Sequence, residues 1–196
     1  MLKKYLLNFD IVLASGSPRR QHFFKELDID FKIDVREIKE IFPPHLKEQE
    51  ITNYLAQLKA TAFKDIKENQ IVITSDTIVW KDNRAIGKPK DKQDAIQMLQ
   101  GLSGETHSVF TSVCFTTKDS QQTVYDCTKV QFKELTIDEI EYYLETCKPY
   151  DKAGSYGIQD WLGYIGIEKI EGCFFNVMGL PTRLVYKTLL EIANSK

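Results

Sequence analysis

The stretch Ile71–Trp80 constrains the fold more than any other part of the chain. Its residues are nearly all β-branched or apolar, and one carboxylate, Asp76, interrupts them. Such side chains fit a pleated, buried surface, and a short apolar run bounded by turn residues reads as a strand covered on both faces. The polar turn Lys81–Arg84 then folds the chain back as a hairpin. An unpaired buried charge is costly, so Asp76 is expected at a strand end, a bulge or a cleft, where it holds a metal or takes a proton from water. A turn aspartate with a structural hydrogen bond is the competing reading.

Helical and strand patterns alternate around this run. Asp10–Ala14 and Phe31–Val35 read as strands, and Pro18 suits the first position of a helix reaching Leu27. Lys47–Ile66 reads as a helix with Ile51, Tyr54, Leu55, Leu58 and Ala62 on one stripe. Asp91–Leu102 is a further helix, and Thr106–Thr117 and Gln122–Phe132 form a long hairpin. Thr136 and Glu139 form a capping box for a helix ending near Thr146. A Gly-rich stretch from Gly154 to Gly166, a strand Tyr164–Ile170 and a helix Pro181–Ala193 complete the chain. The alternation predicts an α/β fold with a mixed sheet.

A chain of 196 residues is long enough to bury a substantial core. Its formal net charge of -2 argues against long nucleic acid as a partner, because polyanion binders are usually basic. A small anion needs only a local cluster of cations. The four cysteines, Cys114, Cys127, Cys147 and Cys173, have no CxxC spacing and read as reduced, largely buried thiols. No apolar run approaches the roughly 20 residues that span a bilayer. Met1–Asp10 lacks the long apolar region of a signal peptide. The expected location is the cytoplasm, with no membrane partner.

Five segments carry candidate chemistry. In Ala14–Arg20 a strand ends, Ser15, Gly16 and Ser17 turn, and a helix starts, so free N–H groups and the helix dipole favour an anion. Arg19 and Arg20 add forked donors that match phosphate oxygens; a capped helix with two solvated arginines is the alternative. Asp76 is the second candidate. Gly87-Lys88-Pro89 offers a cation on a fixed backbone, though an exposed lysine beside proline is commonly plain surface. In Tyr150–Gln159, glycines permit close backbone approach, and the Gln159 amide can donate to and accept from a base edge. Phe175–Pro181 reads as a turn into the last helix. His22, His45 and His107 share no metal-ligand spacing; His22 reads as helix surface and His107 as the start of a strand. Neither a Walker loop nor a GxSxG elbow is present.

Six pieces taken in order resemble the Maf family of nucleotide pyrophosphatases: Leu13–Arg20, Ser75–Val79, Gly87–Pro89, Leu102–Val113, Asp151–Gln159 and Asn176–Pro181. The resemblance implies a single domain over residues 1–196, with two α/β lobes about a mixed sheet and a central cleft, like inosine triphosphate pyrophosphatase. It implies hydrolysis of dTTP, UTP or modified pyrimidine triphosphates to the monophosphate and pyrophosphate. It makes Asp76 the catalytic proton acceptor and Arg19, Thr77 and Gln159 the residues of substrate selection. Matching to the family motifs adds Glu40, Lys59, Lys88 and Lys152 to the site and implies a homodimer. Two departures stand out: Asp160 where the family usually has glycine, and Ser155 where alanine is usual, the second a mild change. Asp160 adds a charge beside the presumed base pocket.

Substrate carrying about four negative charges needs cations, which Arg19, Arg20, Lys59, Lys88 and Lys152 supply alongside Ser15. A divalent cation, Mg²⁺ or Mn²⁺, would take oxygen ligands, with Glu40 and Asp76 the best protein candidates. The same cleft would also suit a nucleotide-sensing protein acting on cell division, or an enzyme that removes noncanonical purine triphosphates. A phosphotransferase is disfavoured by the missing kinase loop.

Overall fold

The structure, a computed structural model, describes residues 1–195. Strand β1 (Asp10–Leu13) lies between β2 (Lys32–Ile33) and β3 (Gln70–Lys81) and is parallel to both, with Ile11 opposite Ile71 and Leu13 opposite Ile73 and Ile33. β4 (Arg84–Ile86) returns antiparallel to the end of β3, as the turn residues predict. With β5 (Thr106–Thr116), β6 (Gln121–Phe132) and β7 (Ile167–Glu171), these strands form one seven-stranded mixed sheet, ordered β2-β1-β3-β5-β6-β7 with β4 beside β3.

The chain divides into two compact units, and β3, β5 and β6 each pass from one to the other. The first unit comprises Met1–Asp76, Thr111–Asp126 and the segment from Gly179. It holds β1, β2 and helices α1 (Pro18–Glu26) and α2 (Gln49–Ala60). Small residues bring α2 close to the strands: Ala56, Ala60 and Cys114 pack together, and Thr74 Oγ1 donates to the Ala56 carbonyl at 2.6 Å. Thr52 and Asn53 bond the Ser112 hydroxyl on β5 at 2.6 and 2.7 Å. These buried polar contacts fix the rotation of α2, because each one lost would strand a polar group away from water.

The second unit comprises Thr77–Phe110 and Cys127–Met178. Its core gathers Val79, Leu99, Leu102, Phe132, Tyr143, Tyr156 and Leu162, among others. Helices α3 (Lys92–Leu102) and α4 (Ile137–Cys147) begin where their caps predict: Asp91 accepts from Asp94 N–H, and Thr136 and Glu139 form the capping box. α5 (Trp161–Gly166) and the short α6 (Phe174–Val177) follow, while the final helix, α7 (Thr182–Asn194), belongs to the first unit.

Three elements differ from the sequence reading. Residues Tyr164–Gly166 belong to helix α5, and the strand begins only at Ile167. A Cβ at Gly163 would strike the Ile158 carbonyl, so glycine lets this helical turn sit against the preceding loop, while Trp161 packs on Tyr142 with rings 4.8 Å apart. α2 stops at Ala60 rather than Ile66. There Arg36 Nη1 takes the Ala62 carbonyl at 2.8 Å and its guanidinium stacks over Phe63 at 4.1 Å, contacts that draw the chain out of the helix. The strand expected over Phe31–Val35 keeps only Lys32–Ile33, both exposed. Of the four free thiols only Cys114 is fully buried; the other three are partly exposed.

Candidate active site

β1 ends at Leu13, and the turn after it delivers Ser15, Arg19 and Arg20 at the start of α1, with Pro18 at its first position. Ser15 is buried, and its hydroxyl accepts from the Ser17 N–H at 3.3 Å and from Arg20 Nη1 at 3.4 Å. Arg20 also donates to two backbone carbonyls from distant parts of the chain, Ser75 at 2.9 Å and Gly179 at 2.8 Å. This clamp is a role the sequence reading did not foresee. Arg20 ties the turn after β1 to the middle of β3 and to the chain just ahead of α7. Burial lowers its guanidinium to about 10, the nearby Asp76 opposes that, and Arg19 adds to it; the group stays charged at neutral pH.

Asp76 lies in the middle of β3 and is 7% exposed, so of the placements expected for it the strand end is excluded. Its burial has a partner: Lys59, in the last turn of α2, places Nζ 2.7 Å from Asp76 Oδ1. The same ammonium lies 3.1 Å from Glu40 Oε2 and donates to the Ser75 carbonyl at 3.5 Å. Burial raises the Asp76 carboxyl above the ordinary aspartate value; the charge and hydrogen bond of Lys59, and the charge of Arg20, pull it back. The first unit therefore unites Ser15, Arg20, Glu40, Lys59 and Asp76, with Arg19 close enough to act on Arg20.

The second unit carries the remaining predicted residues. Thr77 follows Asp76 on β3 and is half-buried, and Lys88 lies exposed between β4 and α3. The Gly154 N–H donates to the Gly87 carbonyl at 2.9 Å, which joins the Gly87-Lys88-Pro89 turn to the glycine loop. Gly154 has φ +68°, and a Cβ there would press on Val79 at 2.9 Å, so glycine is required. The next residue, Ser155, also adopts a left-handed backbone, φ 58°, and its buried hydroxyl has no hydrogen-bond partner among the described residues. The left-handed backbone would strain alanine equally, so what serine adds is the cost of a buried hydroxyl. Lys152 Nζ pairs with Asp151 at 2.8 Å and stands 3.6 Å from Asp160. Gln159 donates its amide to Asp160 at 3.0 Å, and Asp160 also accepts from the Tyr143 hydroxyl at 3.0 Å.

A second polar group in this unit escaped the sequence reading. His107 is 2% exposed, and its Nε2 lies 2.7 Å from the Tyr156 hydroxyl. Burial pushes the imidazole down to about 4 and raises the Tyr156 phenol, so both are neutral. His107 stands between Thr106 and Ser108 in sequence, and it starts a strand as expected, since β5 opens at Thr106; its burial is set by packing that no neighbouring residue signals.

The family profile described as Maf-like protein matches residues 10–192. The dTTP/UTP pyrophosphatase of Christiangramia forsetii is 58% identical over 196 residues, 100% of both chains. That of Flavobacterium johnsoniae is 56% identical over 193 residues, covering 98% of this chain and 100% of its own. Among solved structures, a HAM1 protein from Coxiella burnetii is similar over 93% of this chain and 99% of its own, at 13% identity and a TM-score of 0.49.

Proposed function

The chain belongs to the Maf family, and from that premise we propose that it hydrolyses dTTP and UTP to the nucleoside monophosphate and pyrophosphate in the cytoplasm. The observation that carries the reading is the buried Asp76 carboxylate held by Lys59 beside the Arg20 clamp. In the reaction, a water oxygen bonds to the α-phosphorus, the bond from that phosphorus to the α–β bridging oxygen breaks, and pyrophosphate leaves.

Asp76 suits the role of proton acceptor. Its raised carboxyl makes it a stronger base than an exposed aspartate. Lys59 holds Oδ1, which leaves Oδ2 to receive the proton of the attacking water. Ser15, Arg19 and the start of α1 form the part of the first unit suited to phosphate oxygens, through N–H groups, a hydroxyl and a guanidinium. Arg20 keeps that turn in place through Ser75 and Gly179. Assignment of Thr77, Lys88, Lys152 and Gln159 to substrate rests on the family resemblance.

Glu40 and Asp76 converge on one ammonium. The carboxylate oxygens that Lys59 leaves on Glu40 and Asp76 would hold Mg²⁺ or Mn²⁺, which take hard oxygen ligands and would stay open to phosphate and water. A divalent ion held there would neutralise phosphate charge and acidify water.

Product analysis tests the reading. Purified protein incubated with dTTP, UTP, CTP or inosine triphosphate, with Mg²⁺, Mn²⁺ or excess chelator, should release pyrophosphate and the monophosphate from dTTP and UTP only when metal is present. Tight binding without product would make the protein a sensor, and faster turnover of inosine triphosphate would move the substrate to the purines.

A further inference from the structure

Asp160 occupies the N-cap position of α5, where an aspartate ordinarily folds back onto the first helical N–H groups. Its side chain makes no such cap. Instead Oδ2 accepts from the Tyr143 hydroxyl and Oδ1 from the Gln159 amide nitrogen, each at 3.0 Å. The Tyr143 oxygen itself accepts from the Gly157 N–H at 3.0 Å, which directs its own proton to Asp160. Lys152 Nζ, 3.6 Å from Oδ2, adds positive charge on the same side.

This series of hydrogen bonds runs in one direction. Carboxylate oxygens accept, and Gln159 turns its NH₂ toward Asp160. The amide oxygen, Oε1, is left buried and without a hydrogen-bond partner among the described residues. A buried acceptor in that state costs free energy that an incoming donor would recover.

We infer that Asp160 is a positioning residue that sets the polarity of the Gln159 amide, so that Oε1 selects a base carrying a ring N–H on its pairing edge. The inference rests on the nucleotide-hydrolase reading above. Uracil and thymine share that group at N3 and differ only at C5, away from the pairing edge, so one acceptor reads both alike. Cytosine has a lone pair at N3 and would meet Oε1 acceptor to acceptor.

Asp160→Asn tests this with almost no change of shape. Tyr143 holds the remaining acceptor of the new amide, whose NH₂ then faces Gln159. Gln159 must turn over to offer its oxygen, and Nε2, a donor, replaces Oε1. Calorimetric titration of the full chain with the α,β-methylene analogues of UTP and CTP reads the outcome. The wild-type protein should prefer the uridine analogue. Asp160→Asn should move the ratio of the two dissociation constants toward cytidine by roughly tenfold or more, the uridine analogue weakening while the cytidine analogue tightens. Loss of packing alone would weaken both. Gln159→Leu, which has no amide to orient, should bind the two alike.

An unchanged ratio or a parallel loss in Asp160→Asn overturns the inference, as does a wild-type protein with no uridine preference or a Gln159→Leu that keeps it. Pyrophosphate release from UTP is followed separately: its absence, with base-selective binding intact, would sink the hydrolase reading and leave the amide polarity standing.

Discussion

Replacing Lys59 with methionine removes a charge from the buried pair while keeping the apolar stem that packs in α2. Lys59 Nζ lies 2.7 Å from Asp76 Oδ1; at an effective dielectric of about 20, that separation corresponds to roughly 6 kcal/mol of attraction. The dehydration of Lys59 offsets part of this, and methionine avoids it. Removing one partner of a buried pair costs about 3–5 kcal/mol. The Arg20 guanidinium still faces Asp76, which places Lys59→Met near the lower end, about 3 kcal/mol at neutral pH.

The penalty should depend on pH in a defined direction. Burial already raises the Asp76 carboxyl, and Lys59 is the main group opposing that rise. Without it the folded value climbs further above the roughly 3.9 of an unfolded aspartate. The folded protein then binds more protons than the unfolded chain, so stability falls as pH rises. The penalty vanishes below the unfolded value and grows as pH passes through the raised folded one. Urea unfolding of wild type and variant across pH measures it: the two curves should approach each other in acid and separate toward neutral pH. A loss below about 1 kcal/mol, or one of equal size at all pH values, would refute the claim that Lys59 is the main group opposing the rise that burial causes in Asp76.

Asp76→Asn should keep a cooperative fold while pyrophosphate release falls at least about 100-fold, because an amide cannot take the proton; turnover close to wild type would remove Asp76 from the chemistry. His107 should make the wild-type protein acid-sensitive. Its imidazole is lowered to about 4 in the fold, so the unfolded chain binds the extra proton below about 6.5, and stability present above that value is lost as pH falls toward 4. The full shift corresponds to about 3 kcal/mol. His107→Leu, though weaker overall for losing its Tyr156 bond, should show a flatter stability curve over that interval, and an unchanged slope would exclude this imidazole as the source.

Much of the local structure could be read from neighbours in sequence. Pro18 opens α1, Asp91 and Thr136 cap α3 and α4, and the run around Asp76 is a buried strand. Each of these rests on a rule that acts within a few residues: a missing N–H, a side-chain oxygen three residues from an amide, or a β-branched run. The rule fails at Tyr164–Gly166, where pairs of large residues separated by Gly163 and Gly166 settle neither a strand nor a helix pattern, and the packing of Trp161 on Tyr142 accompanies the helix. It fails again after Ala60, where the pull comes from Arg36, far away along the chain.

What the tertiary structure alone decided is which groups answer which. The sequence required that a charge as deeply placed as Asp76 be compensated, and the family resemblance put Lys59 and Glu40 in the same site, but only the seating of α2 on β3 and β5 brings one ammonium to both carboxylates. Arg20 reads as a phosphate fork in sequence, yet in the fold it donates to carbonyls 55 and 159 positions away. Tyr143, which no local pattern links to the loop before α5, is brought to the Asp160 carboxylate by the fold alone. Hydrophobic periodicity records which face of an element is buried; the identity of a polar partner is an outcome of topology, since hydrogen bonds and ion pairs act over a few ångströms of space whatever the separation along the chain.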